Sequence, residues 1–279
     1  MFELWNSTPN DDLAGLSPNA LTELLDDPFE ATDVLVFAEV VSRAPDAPIA
    51  TLLDPVFEAL LAGPVRATAA GYLPPSLCAT VMARVLERQG LTRDEEMASA
   101  RITELHIPHL HLARSVAQYA GLMRRRAGAF HLTRAGRALY ERRGMAAVLP
   151  VLLRAHATRL EWSSLDDWPR LGVLQASVGF SLLLVARYGQ VERPAAFYAE
   201  RWLRAFPRAL EAFAGLGEGS DEAALEQFER CFEVRVIERF MVPFGLVTPD
   251  RRWSEGARPV LYVRASALFG DLFALRHGV

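Results

Sequence analysis

The dipeptide Ala127-Gly128 stands between two short segments of strand type, 122–126 and 129–132. A two-residue turn that contains glycine, flanked by such segments, is a strong local signal of a β-hairpin. Elsewhere in the 279-residue chain, apolar residues recur mostly at helical spacing. The sequence therefore predicts a mainly α-helical protein with small β-hairpins. One hairpin is expected at residues 127–128, between two helices.

The segments before this hairpin alternate in a definite order. Helical spacing covers 48–61 and starts again at Pro74-Pro75, and a short extended segment, Val65–Thr68, lies between them. A further helix is predicted from Pro108 to Gly121, and Thr133 is the predicted N-cap of the helix that follows the hairpin. The order is helix, strand, helix, helix, strand, strand, helix.

This order, together with the motif Ala-Gly-Leu-Met and then Leu-Thr-Arg-Ala-Gly-Arg-Ala-Leu, resembles the winged-helix variant of the helix-turn-helix superfamily over residues 48–143. In that resemblance the hairpin is the wing, and the helix from Pro108 is the recognition helix. The resemblance implies either DNA binding or use as a protein-interaction scaffold, because the fold alone does not determine function. With Leu16-Ser17-Pro18 and Gly71-Tyr72-Leu73-Pro74, the layout is also similar to a group of uncharacterised bacterial and plasmid-borne proteins, which implies no activity.

Three regions follow from this organisation. Residues 1–47 form an acidic helical segment, with one helix expected after Ser17-Pro18 and another over Asp33–Ala44. Residues 48–143 form the winged-helix-like domain, and residues 144–279 form a helical domain.

Phe244-Gly245-Leu246-Val247 repeats the pattern of Ala120–Met123. It predicts a hairpin within 244–270 in which Leu246-Val247 pairs with Leu261-Tyr262. Either this is a second, divergent winged-helix-like unit, or the two short echoes arose by chance.

Charge is distributed unevenly along the chain. All 30 basic residues are arginine, and the formal net charge is −4. Residues 1–60 hold 12 acidic residues and one arginine, whereas residues 114–159 hold ten arginines and one acidic residue. Either these oppositely charged regions pair with each other or with solvent, or the basic region binds a polyanion. The sequence pI near 5.9 favours the scaffold, because counterion-release binding needs a net basic domain.

The helix from Pro108 places His109, Leu112 and Val116 on one face, which we predict to be the core face. Polar residues lie opposite them, and the wing and the next helix carry arginines that could contact phosphates. Arg124 and Arg126 share a face of the wing, and Arg125 opposes them. The candidate DNA-binding residues are His111, Arg114, Ser115 and Gln118 on the helix, Arg124, Arg125 and Arg126 on the wing, and Arg134 and Arg137 beyond it. The same helical spacing is also typical of any solvated amphipathic helix, and Arg137 has a pairing partner in Glu141 one turn later.

No motif indicates catalysis, since the chain has no Walker-type loop, nucleophile elbow or paired-cysteine motif. His106, His109 and His111 lack a metal-binding spacing because Pro108 interrupts any helix between them. We therefore expect no catalytic residues, no metal and no cofactor. The preferred hypothesis is a non-enzymatic DNA-binding regulator, the alternative is a protein-interaction scaffold, and an enzyme is the third hypothesis.

The sequence also bears on location. Its apolar runs are too short to cross a membrane, and its N-terminus lacks a secretion signal. Cys78 and Cys231 stand singly in apolar helical stretches, which predicts buried thiols in a reducing compartment. We expect a cytoplasmic protein without membrane contact.

Overall fold

A computed structural model of the chain describes residues 6–31, 33–91, 102–214, 220–253 and 258–276. It is mainly helical with small antiparallel sheets. The α-helices are α1 (Pro18–Asp26), α2 (Pro48–Ala62), α3 (Pro75–Arg88), α4 (Leu110–Tyr119), α5 (Arg134–Arg143), α6 (Met145–Thr158), α7 (Gly172–Ala176), α8 (Val178–Tyr188), α9 (Ala195–Ala205), α10 (Asp221–Phe232) and α11 (Ala267–Leu272). The strands are β1 (Leu35–Phe37), β2 (Val65–Arg66), β3 (Met123–Arg126), β4 (Ala129–Leu132), β5 (Arg193–Pro194), β6 (Val247–Arg252), β7 (Val260–Ala265) and β8 (Phe273–Leu275). Among the described helices, none has the length and apolarity to cross a membrane.

The chain divides into two compact units. The central unit is Glu39–Leu160, and the terminal unit joins Met1–Ala38 with Glu161–Val279. Each unit is built on the same order of elements, and each contains a three-stranded antiparallel sheet.

In the central unit the order is α2, β2, α3, α4, β3, β4, α5 and α6, and its sheet has the strand order β2-β4-β3. The predicted hairpin is confirmed. Ala127 and Gly128 have φ angles of 51° and 73°, and positive φ at both central residues is what a two-residue type I′ turn requires. The predicted cap is also confirmed, because Thr133 Oγ1 accepts a hydrogen bond from Gly136 N at the start of α5.

The phase predicted for α4 is partly wrong. Val116 is fully buried, as predicted, but Leu112 is only half-buried. Arg114 was expected on the solvent face and is buried, whereas His109 was expected in the core and is exposed. His109 has a φ of 63° and precedes the helix, so α4 begins two residues later than the sequence predicts.

The helix expected over Asp33–Ala44 is also wrong. This segment contains β1, which pairs with β8 so that Leu35 lies opposite Leu275 and Phe37 opposite Phe273. The partner strand lies near the other end of the chain, and burial of Leu35 in this pairing overrides the local helical pattern.

The terminal unit repeats the element order as α8, β5, α9, α10, β6, β7 and α11, with the strand order β5-β7-β6. Helix α10 continues directly into a π-helix, Glu233–Met241, where the sequence predicts one α-helix over 221–240. The hairpin β6–β7 is present, but its predicted register is wrong. Val247 pairs with Ala265, and Leu261 pairs with Arg251.

Both hairpins are closed by the same three hydrogen bonds, made by the hydroxyl residue that follows the second strand. In the central unit Thr133 N donates to Leu122 O (3.0 Å), Thr133 Oγ1 donates to Gly121 O (2.7 Å) and Gly136 N donates to Thr133 Oγ1 (3.0 Å). In the terminal unit Ser266 N donates to Leu246 O (3.0 Å), Ser266 Oγ donates to Gly245 O (2.5 Å) and Phe269 N donates to Ser266 Oγ (3.0 Å). The glycine two positions before the first strand of each hairpin, Gly121 or Gly245, has a positive φ.

Helix α5 packs closely on the backbone before β3, which makes Gly136 a test of this arrangement. A Cβ added at Gly136 would lie 2.0 Å from Leu122 O. We expect Gly136→Ala to lower the free energy of unfolding by about 1–3 kcal/mol, because backbone cannot yield to the methyl group. Urea denaturation followed by circular dichroism measures the change.

Gly270 in α11 is the matched control, because a Cβ there would meet nothing within 4 Å. We expect Gly270→Ala to be neutral or to stabilise by up to about 1 kcal/mol, through helix propensity. An unchanged stability for Gly136→Ala would contradict the close packing of α5.

Candidate nucleic-acid interface

One face of the central sheet carries arginine on both outer strands. Residues that pair across strands, and residues two apart along a strand, point to the same face. The pairs Arg66 with Ala129, Arg126 with Ala129, and Arg124 with His131 therefore define one face, which we call the arginine face. It consists of Arg66, Arg124, Arg126, Ala129 and His131.

The arginine face is open and its charge is uncompensated. Arg66, Arg124 and Arg126 are exposed, and none of them makes an ion pair or hydrogen bond to another residue in the described part of the chain. The small Ala129 side chain separates Arg66 from Arg126. Along β3, the Cα atoms of Arg124 and Arg126 are about 7 Å apart. One strand of a DNA duplex has a phosphate every 3.4 Å of helix axis, so this distance corresponds to roughly two phosphates. The sheet therefore presents three exposed cations at a spacing that suits a polyphosphate backbone.

Arg125 lies on the opposite face, as the sequence predicts. It pairs across the hairpin with the fully buried Phe130. Its guanidinium covers Gly71, where an added Cβ would lie 1.9 Å from Arg125 Nη1. Gly71 has a φ of 83° in a turn closed by Gly71 N donating to Thr68 O. Arg125 thus packs on this turn and is separated from the arginine face.

The two candidate arginines of α5 differ in their contacts. Arg134 is exposed and makes no ion pair or hydrogen bond within the described ranges. Arg137 pairs with Glu141 at 3.3 Å and donates from Nη2 to Leu61 O at 3.1 Å. Arg137 therefore links α5 to the end of α2. Of the two side chains, only Arg134 makes no ion pair or hydrogen bond in the described part of the chain.

Two of the candidate side chains on α4, His111 and Arg114, bind a buried carboxylate, that of Glu104. One oxygen of Glu104 accepts from Arg114 Nε at 2.9 Å and from His111 Nδ1 at 2.6 Å, and the other accepts from Leu73 N at 2.7 Å. The side chains of Glu104 and Arg114 are 0% and 7% exposed. Arg114 also stacks on Phe130, with its guanidinium carbon 5.2 Å from the ring centre. Arg114 is therefore a structural cation in this unit.

The other two candidates on α4 are also engaged. Gln118 Oε1 accepts a hydrogen bond from Arg114 Nη1, and Ser115 Oγ donates to His111 O at 2.8 Å. His111 keeps an exposed edge, since its side chain is 51% exposed. All four candidate side chains on α4 thus make hydrogen bonds within the chain, and Arg114 and Gln118 bond to each other.

Two residues of this site were missed by sequence reasoning. Arg66 reaches the arginine face only through the pairing of β2 with β4, and the signal for it was the short extended segment 65–68. Glu104 is a single acidic residue placed seven and ten residues before His111 and Arg114. That spacing crosses a turn, so a helical pattern could not indicate the contact.

The corresponding face of the terminal sheet has a different charge pattern. Relative to Gly121 and Gly245, the positions of Arg124 and Arg126 are taken by Thr248 and Asp250. Arg252, further along β6, pairs with Asp250 at 2.8 Å, contacts Glu192 and stacks on Tyr262. This face therefore holds one paired acid and arginine beside the exposed Arg264, which lies opposite Thr248, whereas the charged residues of the central face are three arginines.

Among the described residues there is no group of three or more His, Cys, Asp or Glu side chains arranged to hold a metal ion. No protein-family model, curated protein or solved structure matches this chain.

The buried ion pair between Glu104 and Arg114 should contribute far more to stability than an exposed ion pair. Replacing Glu by Gln in each kind of pair tests this difference. Glu104→Gln leaves the buried Arg114 without a counter-charge, so we expect a loss of about 3–5 kcal/mol in the free energy of unfolding. Glu141→Gln removes an exposed pair with Arg137 and should cost at most about 1 kcal/mol. Urea denaturation of both variants measures the difference, and equal losses would contradict a structural role for Glu104.

The two cysteine thiols test the packing of both units, Cys78 in the central unit and Cys231 in the terminal unit. Burial, and then the nearby charge of Glu104, raise the pKa of Cys78 to about 11. Burial raises the pKa of Cys231 to about 12. Because only about one thiol in a thousand is a thiolate three pH units below its pKa, we expect no labelling by a disulfide reagent at pH 8 in the native protein. Both thiols should react once urea unfolds the chain, and fast labelling of the native protein would contradict their burial.

Proposed function

We propose that the central unit is a winged-helix unit that binds double-stranded DNA without enzymatic activity. The observation that carries this proposal is the arginine face, where Arg66, Arg124 and Arg126 are exposed and uncompensated. Arginine is always charged, and its guanidinium matches the geometry of phosphate oxygens. Arg134, at the start of α5 two residues after the hairpin, is a further exposed arginine of this unit.

The proposed contact is directed at the phosphate backbone. Reading bases requires side chains that are free to place donors and acceptors in the major groove, and Arg114 and Gln118 are held by Glu104 and by each other. Phosphate contacts fix position and carry no sequence information. The function supported best is therefore binding with little dependence on DNA sequence.

A second function, protein interaction, is favoured by a different observation in the terminal unit. Trp253 is 75% exposed and Val260 is 44% exposed at the far end of the β6–β7 hairpin. Large exposed aromatic side chains are typical of protein-binding surfaces. The two functions are compatible, because they rest on different units.

The DNA proposal is tested by titrating the full chain against a fluorescent random duplex at two salt concentrations. The double variant R124A/R126A should weaken binding about tenfold or more, because it removes two charge-assisted contacts. The slope of log affinity against log salt should become shallower by about two, since each phosphate contact contributes close to one. Duplexes of different sequence should be affected equally.

Two further variants separate charge from folding. R124K/R126K keeps the charge and should retain most of the binding, while Arg142→Ala removes one exposed charge away from the sheet and should leave the affinity nearly unchanged. Absence of salt-dependent binding by the full chain, or equal binding by R124A/R126A and the unaltered protein, would overturn the proposal.

A further inference from the structure

The central unit contains a second basic site, separate from the arginine face. Residues of four helices, α2, α3, α5 and α6, and of the segment before α2 line a pocket of about 350 Å³. Its charged lining residues are Asp54 from α2, Arg84 and Arg88 from α3, and Arg143, the last residue of α5. Ser42 and Thr51 add hydroxyl groups to the lining.

The charges of this pocket do not cancel. Arg84 is surrounded by carboxylates, with Asp54 at 3.5 Å and Glu58 and Glu87 at 3.7 Å. Asp54 in turn accepts a hydrogen bond from the Tyr140 hydroxyl at 2.7 Å. Asp54 is thus engaged by Arg84 and Tyr140, and the lining of the pocket holds three arginines against this one carboxylate.

Two arginines remain for a ligand. Arg88 and Arg143 are exposed and make no ion pair or hydrogen bond within the described part of the chain. They come from different helices and line the same pocket. Two uncompensated guanidinium groups facing one cavity match an anion of charge −2.

The shape of the pocket adds a second requirement. Its volume is at the lower end of the range of about 300–1,000 Å³ for small-molecule sites, and it exceeds what one phosphate group fills. Pro45, Ala50 and Met145 supply apolar lining beside the arginines. From these features we propose that the pocket binds a small organic phosphate monoester, with the phosphate dianion between Arg88 and Arg143 and the organic group against the apolar wall.

The proposal is tested by isothermal titration of the full chain with phenyl phosphate, with inorganic phosphate and with dimethyl phosphate, at constant ionic strength set with sodium chloride. Phenyl phosphate should bind saturably with one site per chain, and inorganic phosphate should bind at the same site more weakly. Dimethyl phosphate carries a single charge and should bind at least about tenfold more weakly than phenyl phosphate. Equal binding of all three would overturn the assignment of a dianion site.

The variant R88A/R143A should weaken phenyl phosphate binding at least about tenfold, because it removes both free cations. Both side chains are exposed, so the melting temperature should be retained. Arg142→Ala is the control, since Arg142 neighbours Arg143 without lining the pocket, and it should bind as the unaltered protein does. Unchanged binding by R88A/R143A, or no saturable binding of phenyl phosphate by the unaltered chain, would overturn the site.

This site is independent of the proposed DNA contact, and the two tests can fail separately. R124A/R126A should bind phenyl phosphate normally, and R88A/R143A should keep the salt-dependent duplex binding. Loss of phenyl phosphate binding in R124A/R126A would show that the anion binds at the arginine face, which would overturn the pocket.

Discussion

A single buried carboxylate organises the central unit. Glu104 is bound at once by Leu73 N, which precedes α3, and by two side chains of α4. Arg114 then stacks on Phe130 of β4, so the carboxylate links the segment before α3, the helix α4 and the sheet. A charge without its partner is costly in such a place, so loss of either Glu104 or Arg114 would weaken the packing of all these segments. The orientation of the sheet, and with it the arginine face, depends on this pairing.

Local patterns predicted much of the fold. The glycine turn, the threonine cap, the span of α2 and the alternation of Arg124 with Arg125 all follow from rules that act within a few residues. These features are correct because no distant contact competes with them. The mainly helical character follows in the same way from apolar spacing.

Features set by distant partners were not predictable from the sequence. The local spacing of apolar residues predicted a helix where β1 forms. The strand that pairs with β1, β8, lies more than 230 residues away, so no local pattern indicates it. Arg114 was expected in solvent because a helical pattern places any arginine outside unless a buried acid is known. Asp166 lies in the bend before α7, and its buried side chain pairs with Arg235 at 2.6 Å and Arg239 at 2.8 Å. In each case a long-range ionic or strand pairing decided the outcome, and single-sequence periodicity does not contain that information.

The closure of both hairpins by one hydroxyl residue has a consequence for how such a chain can change. The bonds of Thr133 and Ser266 run to backbone atoms at the base of each hairpin, and the core face holds residues such as Phe130 and Val263. The outward face takes no part in either task. Substitutions there alter the surface potential while the folding determinants stay intact, so a sheet of this kind can exchange one type of partner for another through a few neutral steps. Two sheets of the same form that differ in the charges of their outward faces are what such freedom to drift would leave behind in one polypeptide.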